Sequence, residues 1–202
     1  MPKIECISVG SISPLFTRNG SESHVTYSAI AKHPISYLNN PTQVGVTRLG
    51  LKGDQQADQS VHGGPEKAIY AYPSEHYPFW KELIEDATGV KPDYAFGQIG
   101  ENLSTVGLEE RTVWVGDLWH IGEVTLQVVK HREPCFKFNI RMAYRGAAKA
   151  MLQSARCGWY LRVLKEGTLQ AGQEIKIQPG ARTTSIYDLN QKLLNQNQAE
   201  LF

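Results

Sequence analysis

The sequence predicts a mainly β protein with a few helices, of the α+β class, whose strands form a barrel or sandwich followed by a short helical tail. Three observations carry this expectation. Short β-like runs recur at turn-marked intervals, helical patterning is confined to two internal stretches, and Pro179-Gly180 sets off a terminal segment with helical spacing. The expected division is a barrel over residues 1–180 and a helical tail over residues 181–202.

Ile4 to Val9 alternates apolar and polar residues as a half-buried strand does, and Gly10 to Gly20 has the Ser, Pro, Asn and Gly content of a loop. Ala29 to Ala31 and Val44 to Leu49 read as short β pieces broken by Pro34, Asn39-Asn40 and Pro41. The clearest helix starts near Pro73-Ser74, where the serine can cap exposed amides. It places Tyr77, Trp80, Leu83 and Ile84 on one face and ends at Gly89. Thr112 to Val115, Leu118 to Ile121 and Val124 to Val129 form a meander turned by Gly116-Asp117 and Gly122-Glu123. A second helix is expected between Met142 and Ala155, rich in good helix formers, with Gly158 beyond its end. Strands follow at Tyr160 to Leu164 and Glu174 to Ile177. Ile186, Leu189, Leu193 and Leu194 then recur at helical spacing, in a tail that could dock on the barrel or on a second subunit, as in a homodimer.

Lysine and arginine total 21 against 20 acidic residues, so the net charge of +1 provides no field for a polyanion, and nucleic acid is not an expected partner. The aromatic run Tyr70, Tyr72, Tyr77, Phe79, Trp80 reads as core rather than as a stacking platform for bases. The longest uninterrupted apolar run, Ala68 to Tyr72, is far short of the roughly 20 residues a spanning helix needs. The N-terminus lacks a long apolar stretch of the secretory kind, so a cytoplasmic protein without membrane association is expected. Cys6, Cys135 and Cys157 are odd in number and form no C-x-x-C, which argues against a disulfide framework and a structural zinc site.

Three clusters could carry chemistry. In Gly50-Leu51-Lys52-Gly53-Asp54 and the following Val61-His62-Gly63-Gly64-Pro65, glycines allow backbone N–H groups to converge on an oxyanion, and His62 and Lys67 could add donors. A tight turn explains the same residues. Gly97-Gln98-Ile99-Gly100-Glu101-Asn102 combines close backbone approach with side chains able to bond a heterocycle, and reads equally as a glycine-rich loop. In Lys130-His131-Arg132-Glu133-Pro134-Cys135-Phe136-Lys137, neighbouring cations favour a thiolate, the form that attacks electrophiles or ligates metal. A buried small hydrophobe is the alternative for Cys135, and packing accounts better for Cys6 and Cys157. No P-loop, G-x-S-x-G, H-E-x-x-H or dinucleotide-binding G-x-G-x-x-G motif is present.

Taken in order, Leu49-Gly50-Leu51-Lys52-Gly53-Asp54, Val61-His62-Gly63-Gly64, Gly100-Glu101-Asn102-Leu103, Val115-Gly116-Asp117 and Arg132-Glu133-Pro134-Cys135 resemble the MOSC domain, named for the C-terminal domain of molybdenum cofactor sulfurase. Within it they are most similar to the bacterial YiiM-type group, from about Tyr27 to Ile177. The resemblance implies a MOSC-type β-barrel holding the molybdenum cofactor, a pterin dithiolene carrying molybdenum, with Cys135 as the thiolate ligand to the metal. It implies reduction of N-hydroxylated compounds such as hydroxylaminopurines, amidoximes and hydroxylamines. By that resemblance His62, Gly63, Gly64, Asn102 and Arg132 would line the cofactor pocket; the cofactor-binding set expected here adds Lys52, Asp54, Glu101 and Lys137, and His62 and His131 are expected beside Cys135 as catalytic proton donors. Two departures stand out: Lys130-His131-Arg132 replaces the family's usual Gln-Pro-Arg, and the tail supplies about one helix where the group commonly has three.

The oxidoreductase reading expects electrons from a separate flavoprotein reductase, because the chain carries no flavin, haem or nicotinamide motif. Two alternatives stay open: a sulfur carrier using a Cys135 persulfide, and a non-catalytic carrier of the cofactor.

Overall fold

The computed structural model describes residues 1–19, 22–57 and 63–199. Its principal element is a curled eight-stranded sheet in the order β13-β9-β10-β11-β7-β8-β1-β4, formed by Lys176–Gln178 (β13), Leu118–Ile121 (β9), Val124–His131 (β10), Trp159–Lys165 (β11), Ile69–Pro73 (β7), Leu103–Val106 (β8), Lys3–Val9 (β1) and His33–Tyr37 (β4). β7 and β8 are parallel and the other neighbours antiparallel. Gly167–Leu169 (β12), Val44–Thr47 (β5) and Gly50–Leu51 (β6) make a smaller sheet, and Ser13–Asn19 (β2) and Glu22–Ser28 (β3) a separate ribbon. The mainly β, barrel-like expectation holds.

Curvature brings the two ends of the large sheet together. The segment entering β13 bonds β1 through Ile4 N to Gln173 O at 3.0 Å and Ile175 N to Pro2 O at 2.9 Å, and Ala171 N donates to Ser36 Oγ on β4 at 3.0 Å. These bonds satisfy edge groups that would otherwise template further pairing. β7 is buried at all five positions, as a strand covered on both faces should be. The core holds Trp80, Trp119, Trp159, Tyr72 and Phe138, each worth roughly 1.5–3 kcal/mol of burial by area.

The helix over Tyr77–Thr88 (α1) buries Tyr77, Trp80 and Ile84 and ends at Gly89 in the left-handed region, as its spacing predicts. Its start differs. Ser74 makes no cap; its hydroxyl lies against the Glu5 carboxylate and the Thr105 carbonyl, tying β7 to β1 and β8, and Pro78 occupies the first helical turn. Of the stretch read as one helix over Met142 to Ala155, only Ala147–Ser154 (α3) is helical, and a separate helix that the reading missed, Phe136–Arg141 (α2), ends just before it. Ala143 turns the chain at φ 51°, and Asn139 Oδ1 accepts from Ala148 N at 2.7 Å to fix the new direction. Propensity alone does not reveal this break, because the residues on either side are good helix formers.

Other expectations shift as well. The expected loop from Gly10 to Gly20 contains β2, Ala29 to Ala31 forms no strand, and Thr112 to Val115 contributes a single bridge between Trp114 and Ser185. The tail helix, Ile186–Ala199 (α4), docks on its own body: Ile186 and Asn190 are fully buried, and Asn190 Nδ2 donates to Leu152 O at 2.8 Å. Among the described residues no helix is long and apolar enough to cross a membrane.

Gly158 has φ 62°, and a Cβ there would lie 2.5 Å from the Ala71 carbonyl oxygen where β11 meets β7. Gly158→Ala is therefore expected to lower unfolding stability by at least about 2 kcal/mol, read as a lower urea midpoint at unchanged slope.

Candidate functional site

One solvent-open cavity of about 740 Å³ gathers residues that lie far apart in sequence. Cys135 reaches it as the extended residue that precedes α2, four residues beyond the end of β10 at His131. Arg132 enters from the end of β10, Tyr70 from β7 and Tyr160 from β11. Cross-strand pairing of Tyr160 with Tyr70 places their rings 5.3 Å apart in one wall. Lys137 closes another side, donating to the Tyr27 carbonyl at 3.1 Å.

The wall is predominantly basic. Lys32, Lys67, Arg132 and Lys137 face two carboxylates, Asp54 and Glu133. Both carboxylates are engaged: Asp54 with Lys32 at 2.5 Å, in a pair almost wholly buried, and Glu133 with Lys130 at 2.7 Å. The Lys130 hydrogen bond also draws the Glu133 carboxyl below the usual range, and burial lowers Lys32 despite the nearby Asp54. Arg132 lies between the Tyr70 and Phe138 rings, at 4.8 and 4.7 Å, and donates to the Ile99 carbonyl. Among the described residues this guanidinium, itself 6% exposed, has no carboxylate partner. Burying an unpaired charge is expensive, so the position favours an anionic group from outside the chain. Burial raises both Tyr70 and Tyr160, so their phenols stay protonated at neutral pH.

Of the residues singled out from sequence, Asp54, Lys67, Asn102, Arg132, Cys135 and Lys137 line this cavity. His62 lies outside the described residues. Gly63 and Gly64 stand behind the lining residue Gln56, whose Oε1 accepts from Gly64 N at 2.9 Å. Lys52 is exposed with its stem over Gly45, away from the cavity. Glu101 is wholly buried and accepts from the Tyr77 hydroxyl, Gly97 N at 2.7 Å and Ser104 Oγ at 2.9 Å, which makes it a loop anchor. Asn102 touches the cavity with both polar atoms committed: Oδ1 accepts from Tyr70 N at 3.1 Å and Nδ2 donates to Ser8 O at 3.2 Å. His131 is buried away from the cavity, and among the described residues neither ring nitrogen has a hydrogen-bond partner. Strand alternation separates it from Arg132, one residue on.

Sequence reasoning missed Lys32, Tyr70 and Tyr160 as site residues. No spacing marks Lys32, which meets Asp54 across 22 positions of chain. The tyrosines read as core, and they are core residues whose rings also form the cavity wall.

A family model described as "MOSC domain" matches residues 58–176. The chain is 37% identical over 150 residues to "Protein YiiM" of Escherichia coli (strain K12), covering 74% of this chain and 63% of that protein. It is 38% identical over 130 residues to a protein named "Reductase" of Gibberella moniliformis, covering 63% of this chain and 22% of that one. The chain thus spans less than two thirds of the length of these relatives. The crystal structure of YiiM from Geobacillus stearothermophilus superposes with a TM-score of 0.71 at 28% identity, over 97% of this chain and 85% of that one.

Burial lowers the His131 pKa below 6.5, so the folded protein keeps this ring neutral where the unfolded chain protonates it. The unfolded state then binds more protons below about pH 6.5, and the folded state loses stability as pH falls until the folded pKa is passed. His131→Leu should remove that component. Urea midpoints measured from pH 7.5 to 5 are expected to fall less steeply in the variant than in the parent.

Proposed function

The chain belongs to the MOSC-domain family, and on that premise we propose that it is a molybdenum-cofactor-dependent oxidoreductase that reduces N-hydroxylated compounds. In this reading the Cys135 thiolate is the protein ligand to the metal, and a separate flavoprotein reductase provides electrons. The observation that carries it is the placement of Cys135 in one cavity with Arg132, a buried cation without a carboxylate partner among the described residues. A soft sulfur ligand beside an anion-seeking guanidinium fits a group that is both thiophilic at its metal and anionic at its periphery.

When bound, the cofactor would supply two-electron oxygen-atom transfer. The chain's own part is to hold, orient and protonate. Cys135 Sγ would fix the metal's position, while the Arg132 guanidinium and the Lys137 ammonium would hold anionic oxygens. The buried Lys32–Asp54 pair braces the wall opposite, with Asp54 Oδ1 also accepting from Gly10 N at 2.8 Å. Tyr160 presents a phenol kept protonated by burial, with the Lys67 ammonium 5.9 Å from its ring centre. That arrangement can deliver a proton from Tyr160 Oη to an oxygen leaving nitrogen. The Tyr70 ring excludes water from the inner wall. Lys52, Glu101 and His131 do structural work in this scheme.

Metal and pterin analysis of freshly purified protein, followed by anaerobic assay with hydroxylaminopurine, tests the reading. Bound molybdenum with turnover supports it. Bound cofactor without turnover would make the protein a carrier, and sulfane sulfur on Cys135 without metal would make it a sulfur carrier.

Cys135→Ser should cut N-hydroxyl reduction by more than about a hundredfold with the thermal midpoint unchanged, because an alcohol is rarely ionised at neutral pH and is a poor soft ligand. Wild-type turnover in that variant with cofactor bound would refute the ligand assignment. NADH alone is expected to support no turnover, since the chain has no dinucleotide cradle, and restoring a reductase should start the reaction.

A further inference from the structure

The β2–β3 ribbon is patterned inside out. Its register pairs Pro14 with Tyr27 and Phe16 with Val25, and directly opposed residues two apart along each strand share one face. That face is the exposed one. Phe16 is 66% exposed, Val25 51% and Tyr27 60%, whereas Leu15 and Thr26 on the other face are half-buried. α2 lies against β2, and Phe136 at its start, next to Cys135, is 59% exposed. Single exposed apolar residues are ordinary, but a contiguous face of them marks an interaction surface.

We propose that this face, with Phe136 beside it, is where an acidic electron-transfer flavoprotein docks transiently to reduce the site. The proposal rests on the two-component reading above. Two observations select this occupant. At about 200 Å² for each aromatic side chain, the exposed fractions of Phe16, Tyr27 and Phe136 amount to roughly 400 Å². That is well short of the roughly 800 Å² each protomer gives to a stable interface, and suits the small contacts of electron-transfer encounters. The second observation is charge. At the edge of the patch the Lys137 ammonium donates to the Tyr27 carbonyl at 3.1 Å, and the ribbon's root, Ser28 and Ala29, forms part of the wall of the cavity in which four basic residues face two carboxylates. A partner with an apolar centre and an acidic rim matches that layout, and one seated there approaches Cys135 through its sequence neighbour Phe136.

The test uses the full chain and two measurements. Binding to an oxidised, acidic flavodoxin is titrated by flavin fluorescence at 50 and 300 mM NaCl, and turnover is measured with dithionite-reduced methyl viologen, a donor too small to need a docking face. The double variant Phe16→Ser/Val25→Ser is expected to bind the flavodoxin at least about tenfold more weakly, to keep dye-driven turnover within about twofold, and to keep its thermal midpoint. Wild-type binding should weaken at the higher salt. Equal affinity in variant and wild type would overturn the proposal. So would a wild-type dimer in sedimentation that the variant converts to monomer, since the face would then belong to a second copy. Should the loaded wild type fail to turn over with the dye while flavodoxin binding still depends on Phe16 and Val25, the docking surface stands and the catalytic reading falls.

Discussion

Asn102 ties together the three strands on which the rest of the molecule is hung. Its backbone N donates to Tyr70 O and its carbonyl accepts from Ser8 N, both at 2.8 Å, while its side-chain amide bonds Tyr70 N and Ser8 O. One residue thus satisfies four buried backbone groups on β1 and β7 at the point where β8 is about to run between them. Unpaired, those groups would cost on the order of 1–3 kcal/mol each. An amide is the side chain that offers a donor and an acceptor together at this reach.

The site inherits its geometry from this crossing. Tyr70, held by Asn102, fixes the ring against which Arg132 stacks, and its cross-strand partner Tyr160 completes the wall. The Tyr70 hydroxyl in turn donates to the Cys157 carbonyl at 2.7 Å, and Gly158 O accepts from Arg132 N at 3.3 Å. The chain after α3 is thereby pinned to the strand end that carries the guanidinium. Positioning by rigid strands lets a loop residue such as Cys135 face the cavity from a short, otherwise unremarkable stretch.

Glu101 shows how the same sequence motif divides its labour. Adjacent to Asn102 and equally buried, its carboxylate organises the turn from Gly97 to Gly100 and meets Tyr77 of α1, so the helix and the loop share one anchor. Gly97 and Gly100 take positive φ there, and a Cβ on Gly97 would press on the Lys32 carbonyl at 2.8 Å. The glycines of this motif therefore serve close packing of the loop around Lys32, the residue paired with Asp54 in the cavity wall.

The sequence by itself determined the β class, the α1 stripe with its glycine stop, the β9–β10 turn and the tail helix, because each is a local pattern of period, cap or turn residue. It also singled out Cys135, Arg132 and Asp54, since ordered motifs and local charge are written along the chain. Tertiary structure decided what local patterns cannot encode. It alone showed that Ser74 clasps Glu5 and Thr105 instead of capping, that the run from Met142 turns at Ala143 and becomes helical only at Ala147, and that Phe16 and Tyr27 face outward. It also separated neighbours of similar chemistry: Arg132 from His131, and Asn102 from Glu101. The physical reason is that cavity and core are made by contacts across tens of residues, Lys32 with Asp54 or Tyr70 with Tyr160, and the direction of a side chain depends on which strand the fold has laid beside it.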